Sequence, residues 1–183
     1  MKKLKFTILL FLVIFSLKMN AQKFPTLDKS PMDVASYPSS YRVSNKMIKI
    51  AYSRPQLKGR TVASLTPERK IWRTGANEAA EIIFYKDVIF GGKEVKAGRY
   101  TLFTIPNKKI WTVILSTAKN VWGAYFYKES EDVVRVQATV SKGKKSIEAF
   151  SIAFDGEDDN VMMYLGWGTT VVSLPIKGAF KEN

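Results

Sequence analysis

The chain has 183 residues, and its 29 lysine and arginine side chains against 16 aspartate and glutamate side chains give a formal net charge of +13. It contains no cysteine and no histidine, which excludes disulfides, zinc sites built from these residues and hydrolytic triads with a histidine base. The side-chain chemistry that remains is that of carboxylates, hydroxyls, lysine and arginine, and it favours recognition over catalysis. We expect no cofactor and no metal ion.

The first 21 residues are predicted to form a secretory signal peptide. Three lysines precede an apolar run over residues 6–15, which is shorter than the ~20 residues of a membrane-spanning helix, and Ala21 is a small residue at the expected cleavage site. Cleavage would remove four of the 29 basic side chains and leave 25 against 16 acidic ones, a net charge of +9. We therefore expect an exported protein, periplasmic or secreted, without a transmembrane segment after cleavage; the alternative is an uncleaved N-terminal anchor.

Residues 22–45 contain three prolines and little hydrophobic periodicity, so we predict an extended lead-in before a single domain at residues 46–178. In that domain, short runs rich in β-branched and aromatic residues predict strands. The predicted strands are residues 47–52, 82–85, 88–90, 93–95, 100–105, 110–115, 133–140, 147–154, 161–167 and 171–176. The third and fourth of these runs flank Gly91 and Gly92, which suits a two-residue type I′ hairpin.

Helix is scarce in the sequence. Thr66 and Pro67 predict one helical turn over residues 66–69, with Thr66 as its N-cap. The last predicted strands alternate apolar and polar residues, and the polar segments 141–145 and 155–160 between them predict turns. About nine short strands joined by short turns predict an all-β fold, namely an antiparallel, jelly-roll-like β-sandwich or alternatively a barrel.

Arginine is concentrated in residues 52–78, where four of the seven arginines lie, whereas the lysines are spread along the chain. Because a guanidinium group can bind a carboxylate or phosphate bidentately, we predict here a site for an anionic small molecule or an acidic glycan. A tryptophan would supply a stacking face, and the aromatic cluster at residues 122–125 is expected to line a cleft. The candidate ligand-binding residues are Tyr52, Ser53, Arg54, Lys58, Arg60, Trp72, Arg73, Asn77, Glu78 and Trp122.

Two alternatives remain open for the same segment. In the first, the arginines pair with nearby glutamates and only tie a loop to the sheet, and the protein is a structural envelope protein that binds partners by an exposed sheet edge. The second is a hydrolase that uses Glu78 with Glu81, Ser53 or Thr74; its catalytic residues stay unassigned, because Ser53 and Lys58 do not have the spacing of a Ser-Lys pair. The dispersed lysines argue against a nucleic-acid partner.

Several motifs resemble those of an exported bacterial family called domain of unknown function 2911. The motifs are Tyr52-Ser53-Arg54-Pro55, Lys58-Gly59-Arg60, Trp72 to Glu78, Ala97 to Tyr100 with Ile105-Pro106, and Trp122-Gly123 followed by Asp132 and Arg135. The resemblance runs from about Ser30 to Ile176, and the sequence departs from the family pattern at residues 64–68. It implies an exported, mostly β domain and implies no activity.

Overall fold

A computed structural model of the protein describes residues 22–179. The predicted signal peptide lies outside the described residues. The strands are β1 (Met32–Tyr37), β2 (Ile48–Ser53), β3 (Ala80–Phe84), β4 (Val88–Phe90), β5 (Lys93–Val95), β6 (Gly98–Ile105), β7 (Ile110–Ser116), β8 (Asp132–Glu157) and β9 (Asn160–Gly178). Within residues 22–179, helix is limited to the single turn α1 (Val62–Leu65) and a 3₁₀ turn (Glu129–Glu131).

All nine strands belong to one antiparallel sheet in the order β1-β2-β3-β6-β7-β8-β9-β4-β5, so the all-β prediction is confirmed. The β4–β5 hairpin has the predicted bounds. Gly91 and Gly92 both adopt the positive φ that a type I′ turn requires, at 56° and 88°.

The lead-in contains a strand that the sequence analysis missed. β1 pairs with β2 from Met32 opposite Ser53 to Tyr37 opposite Ile48. β1 is an edge strand, and most of its side chains are exposed or only half-buried. An edge strand of this kind does not need the alternation of apolar and polar residues by which we recognised the other strands.

The predicted helical turn is displaced by four residues. Thr61 is the N-cap of α1, where its hydroxyl accepts a hydrogen bond from the Ser64 amide, and Thr66 is the C-cap in an extended conformation. The prediction that Thr66 begins the helix was wrong because a residue that precedes proline is disfavoured in the α region. Pro67 therefore ends this helix instead of opening one.

β8 and β9 each replace two of the predicted short strands. They contain 26 and 19 residues and pair as one long hairpin. The register shifts between Lys142 and Ile147 and again between Ile147 and Ser151. The prediction of a turn at residues 141–145 was wrong, because these residues stay extended, with Lys142 opposite Thr170.

The second half of β8 lies against the chain that follows β2. The amide of Phe150 donates to the carbonyl of Pro55 at 2.9 Å, and the amide of Leu57 donates to the carbonyl of Glu148 at 3.0 Å. One large hydrophobic cluster, which extends from Tyr37 to β9, fills the space between the strands and the segment that follows β2. This approach brings the arginine-rich segment next to the aromatic side chains of that cluster.

Candidate functional site

The segment after β2 and the segment before β3 line much of an open cavity of about 630 Å³. Its lining comes from parts of the chain that are far apart in sequence. The lining residues are Ser30, Pro55, Arg60, Leu65, Pro67, Ile71, Trp72, Arg73, Gly75, Ala76, Asn77, Ala124, Tyr125 and Trp167. Two arginines and no carboxylate stand among these described lining residues, so the cavity has a positive character.

Arg73 is the most unusual group in the cavity wall. Its Nε atom is buried and has no hydrogen-bond partner among residues 22–179. A buried donor without an acceptor costs about 1–3 kcal/mol. An acceptor in the cavity would offset this cost once a small movement of the half-buried Arg73 side chain exposed Nε to it.

The backbone around Arg73 is held on both sides. Trp72 exchanges two backbone hydrogen bonds with Thr104, at 2.7 and 3.0 Å, and the Arg73 carbonyl accepts from the Ala80 amide at 3.0 Å. Gly75 passes so close to β2 that a Cβ atom there would lie 2.9 Å from the Ser53 carbonyl oxygen. Any larger residue at that position would force the backbone here to shift.

Arg60 is fixed by its own loop. Its Nε donates to the Leu57 carbonyl at 2.9 Å, and its Nη2 donates to the Gln56 carbonyl at 3.0 Å. Both acceptors are neutral, and no ion pair to Arg60 or Arg73 occurs within residues 22–179. Two positive charges therefore remain uncompensated at the cavity.

Trp72 belongs to the core rather than to an open stacking surface. Its ring lies parallel to that of Trp167, with 6.0 Å between centroids and 6° between planes, and it meets Trp111 and Phe150 edge-on. Trp72 is only 4% exposed. Its ring forms part of the cavity wall, but one of its faces is already occupied by Trp167.

Arg54 has the structural role that the sequence analysis considered as the alternative to ligand binding, since its guanidinium joins separate parts of the chain. Its Nη1 forms an ion pair with Asp33 of β1 at 2.8 Å, its Nε donates to the Phe150 carbonyl at 3.0 Å, and its Nη2 donates to the Ser151 hydroxyl at 2.7 Å. The carboxylate partner is Asp33, not one of the glutamates that the sequence analysis considered. This guanidinium joins β1 to β8 and does not line the cavity.

Three further candidates lie outside the cavity. Tyr52 is buried against Phe150, and its hydroxyl accepts from the Ile152 amide at 2.9 Å; burial raises the pKa of Tyr52. Ser53 is buried beneath Gly75. Lys58 is exposed, and it contacts the second half of β8 through its backbone amide, which donates to the Glu148 carboxylate at 2.7 Å.

The groups considered for hydrolysis do not converge on the cavity. Ser53 is 2% exposed and Thr74 is fully buried, with its hydroxyl 3.1 Å from that of Thr104. Glu81 forms an ion pair with Arg99 at 3.5 Å, outside the cavity lining. Glu78 is exposed and also lies outside the lining.

Of the ten candidate residues, the structure brings Arg60, Trp72, Arg73 and Asn77 together in the cavity. Trp122 lies just outside it, stacked on the lining residue Tyr125. The analysis missed most of the other lining residues. The aromatic cluster at residues 122–125 was a usable signal, whereas Trp167 sits in a strand with the pattern of a core residue.

Within residues 22–179, no three acidic side chains are placed to share a metal ion. The same part of the chain contains no helix with the length and apolar character needed to cross a membrane.

The family model described as "Protein of unknown function (DUF2911)" matches residues 30–176, the span over which the motifs resemble that family. No curated protein and no solved structure matches the chain.

Proposed function

The chain belongs to the DUF2911 family of proteins of unknown function, and we propose that it is an exported binding module whose cavity holds a small organic anion, free or as the acidic end of a glycan. The observation that carries this proposal is the buried Nε of Arg73, which has no acceptor within residues 22–179. It faces no competing carboxylate among the described lining residues. A ligand oxygen is the acceptor that this arrangement lacks.

The size and lining of the cavity support a small organic ligand. Its volume of about 630 Å³ lies within the ~300–1,000 Å³ typical of small-molecule sites. Arg60, Arg73 and Asn77 supply polar groups, while Trp72 and Ile71 supply apolar surface. A carboxylate on a compact, partly apolar body matches both parts of this wall.

The test is a thermal-shift and calorimetry panel with benzoate, succinate, D-glucuronate and inorganic phosphate on the full mature chain. At ten times Kd, a bound anion raises the free energy of unfolding by about 1.4 kcal/mol, or about 3–6 °C in Tm for a domain of this size. We expect Arg73→Ala to weaken binding about 10- to 100-fold, since a hydrogen bond to a charged group contributes about 1.5–3 kcal/mol. Arg73→Lys, which keeps the charge without the planar fork, should recover only part of the affinity.

Arg42→Ala is the matched control. Arg42 is exposed, lies over the ring of Tyr41 at 5.6 Å and does not line the cavity. Its removal lowers the net charge by the same amount as Arg73→Ala does. It should leave the affinity unchanged. If no compound shifts Tm, or if Arg73→Ala binds as wild type does, the proposed function is wrong.

A further inference from the structure

An exposed aromatic surface adjoins the cavity. It consists of Trp122, Tyr125 and Phe126, which are 62%, 71% and 80% exposed. Apolar side chains of this size that cluster on a surface mark places where something else binds. We refer to these three residues as the aromatic platform.

The platform is built on a fixed backbone. The Ala79 amide donates to the Val121 carbonyl at 2.8 Å, and the Gly123 amide donates to the Asn77 carbonyl at 2.9 Å. Between them, Glu78 and Trp122 form an antiparallel bridge. These contacts place the platform beside the segment that carries Arg73, so its position is set before any ligand arrives.

Two rings of the platform present a flat surface. The rings of Trp122 and Tyr125 are stacked, with 5.5 Å between centroids and 17° between planes. Both side chains stay largely exposed in this stack, at 62% and 71%. Tyr125 also lines the cavity, so a molecule held by the arginines can continue directly onto the aromatic surface.

The Glu78 carboxylate restricts the chemical class of group that can bind on the platform. Partners directly opposite each other in an antiparallel bridge project to the same side, so the Glu78 carboxylate accompanies the Trp122 ring. A purely apolar group stacked there would gain nothing from the exposed carboxylate, and an anionic group would be repelled by it. An uncharged sugar ring satisfies both residues, because its C–H face packs on the ring and its hydroxyls donate to the carboxylate.

We infer that the site recognises an oligosaccharide whose terminal sugar is a uronic acid and whose next sugar is uncharged. The uronate carboxylate enters the cavity and binds Arg73 and Arg60, and the adjoining sugar lies on Trp122 with its hydroxyls toward Glu78. This inference rests on the proposed anion site and adds to it the substrate class.

The test compares D-glucuronate with disaccharides in which glucuronate is linked 1,3 or 1,4 to glucose, and with the neutral disaccharides of glucose, by calorimetry on the mature chain. We expect at least one acidic disaccharide to bind about 10-fold more tightly than glucuronate, as one stacked ring allows. Trp122→Ala should remove this gain and leave glucuronate binding unchanged. Glu78→Gln should reduce the gain alone, and the neutral disaccharides should bind weakly.

Tyr85→Ala is the matched control, because Tyr85 is also a surface aromatic residue, 53% exposed, and lies outside the cavity lining. It should preserve both affinities. The inference is overturned if no acidic disaccharide binds more tightly than glucuronate, or if the gain survives in Trp122→Ala. If benzoate or succinate binds but no acidic disaccharide shows this gain in affinity, the sugar assignment is wrong and the anion site is still supported. If no anion binds, the proposed function itself is wrong.

Discussion

At the scale of single residues, the cavity depends on the close approach of Gly75 to β2. A Cβ atom at this position would lie 2.9 Å from the Ser53 carbonyl oxygen, a backbone atom that cannot swing aside. Because the next residues lead to Ala80, whose amide binds the Arg73 carbonyl, a shift here reaches the arginine.

Gly75→Ala should therefore lower the free energy of unfolding by about 1–3 kcal/mol, the usual cost of overpacking, and accelerate hydrogen exchange of the Ala80 amide. Urea unfolding and amide exchange measure the two effects. The control is Gly92→Ala, which has nothing within 4 Å of the added carbon and a φ of 88°. It should cost about 1–2 kcal/mol through its left-handed backbone alone and leave Ala80 exchange unchanged; faster Ala80 exchange in the control would contradict the local explanation.

At the scale of elements, the aromatic platform belongs to a connection that is tied to the start of β8 by a polar cluster. The hydroxyl of Tyr127 donates to Asp132 Oδ2 at 2.6 Å, and Arg135 Nε donates to the same oxygen at 2.6 Å. The ring of Tyr127 packs edge-on against Phe103, with 5.3 Å between centroids. The connection thus has both an apolar and a charged anchor.

This cluster makes stability depend on pH in the alkaline range. Burial, reinforced by the hydrogen bond to Asp132 and opposed by Arg135, raises the pKa of Tyr127 to about 12. An unfolded tyrosine loses its proton near pH 10, so between about pH 10 and 12 the folded state holds more protons than the unfolded state. The stabilisation is complete below pH 10 and is lost as the pH rises through this window.

We expect the stability advantage of wild type over Tyr127→Phe to shrink by about 1–2 kcal/mol between pH 9 and 11.5, with the partial exposure of the ring reducing the full linkage value. Urea unfolding of both proteins at each pH measures the difference. Tyr125→Phe, which alters an exposed ring, is the control and should show no such change. An advantage of wild type that stays constant with pH would contradict the raised pKa.

The elements show which structural features the sequence could predict. The β4–β5 hairpin was predicted with its observed bounds because two glycines and two short strands determine it locally. Residues 141–145 of β8 were predicted as a turn because their polar side chains resemble one, but they continue a strand that pairs with β9 on both sides of a register shift. Only part of the cavity could be predicted from the sequence. The concentration of arginine marks the segment that carries Arg60 and Arg73, but Trp167 and Tyr125 join the cavity wall through contacts between distant parts of the chain.

At the scale of the whole molecule, one large hydrophobic cluster supports most of the sheet. It contains buried residues from the first strand, at Tyr37, to the last, at Ile176, and three of the four tryptophans. The chain has no cysteine, so no disulfide holds any part of it. Within residues 22–179 a second cluster has only three buried members, Ala79, Phe103 and Ile114, too few to keep part of the sheet folded after the large cluster opens.

Unfolding should therefore be a single cooperative transition. In urea, tryptophan fluorescence, which reports mainly on buried Trp72, Trp111 and Trp167, should coincide with the far-ultraviolet dichroism of the sheet, with an m-value of about 1–3 kcal/mol/M. Trp122→Phe is the control: it removes the exposed fluorophore and should leave the midpoint and m-value unchanged, because this side chain lies outside the cluster. Two separated midpoints would mean that the second half of β8, with the part of β9 paired to it, unfolds independently. The contacts of residues 54–57 with β8 would then be too weak to make the sheet unfold as one unit.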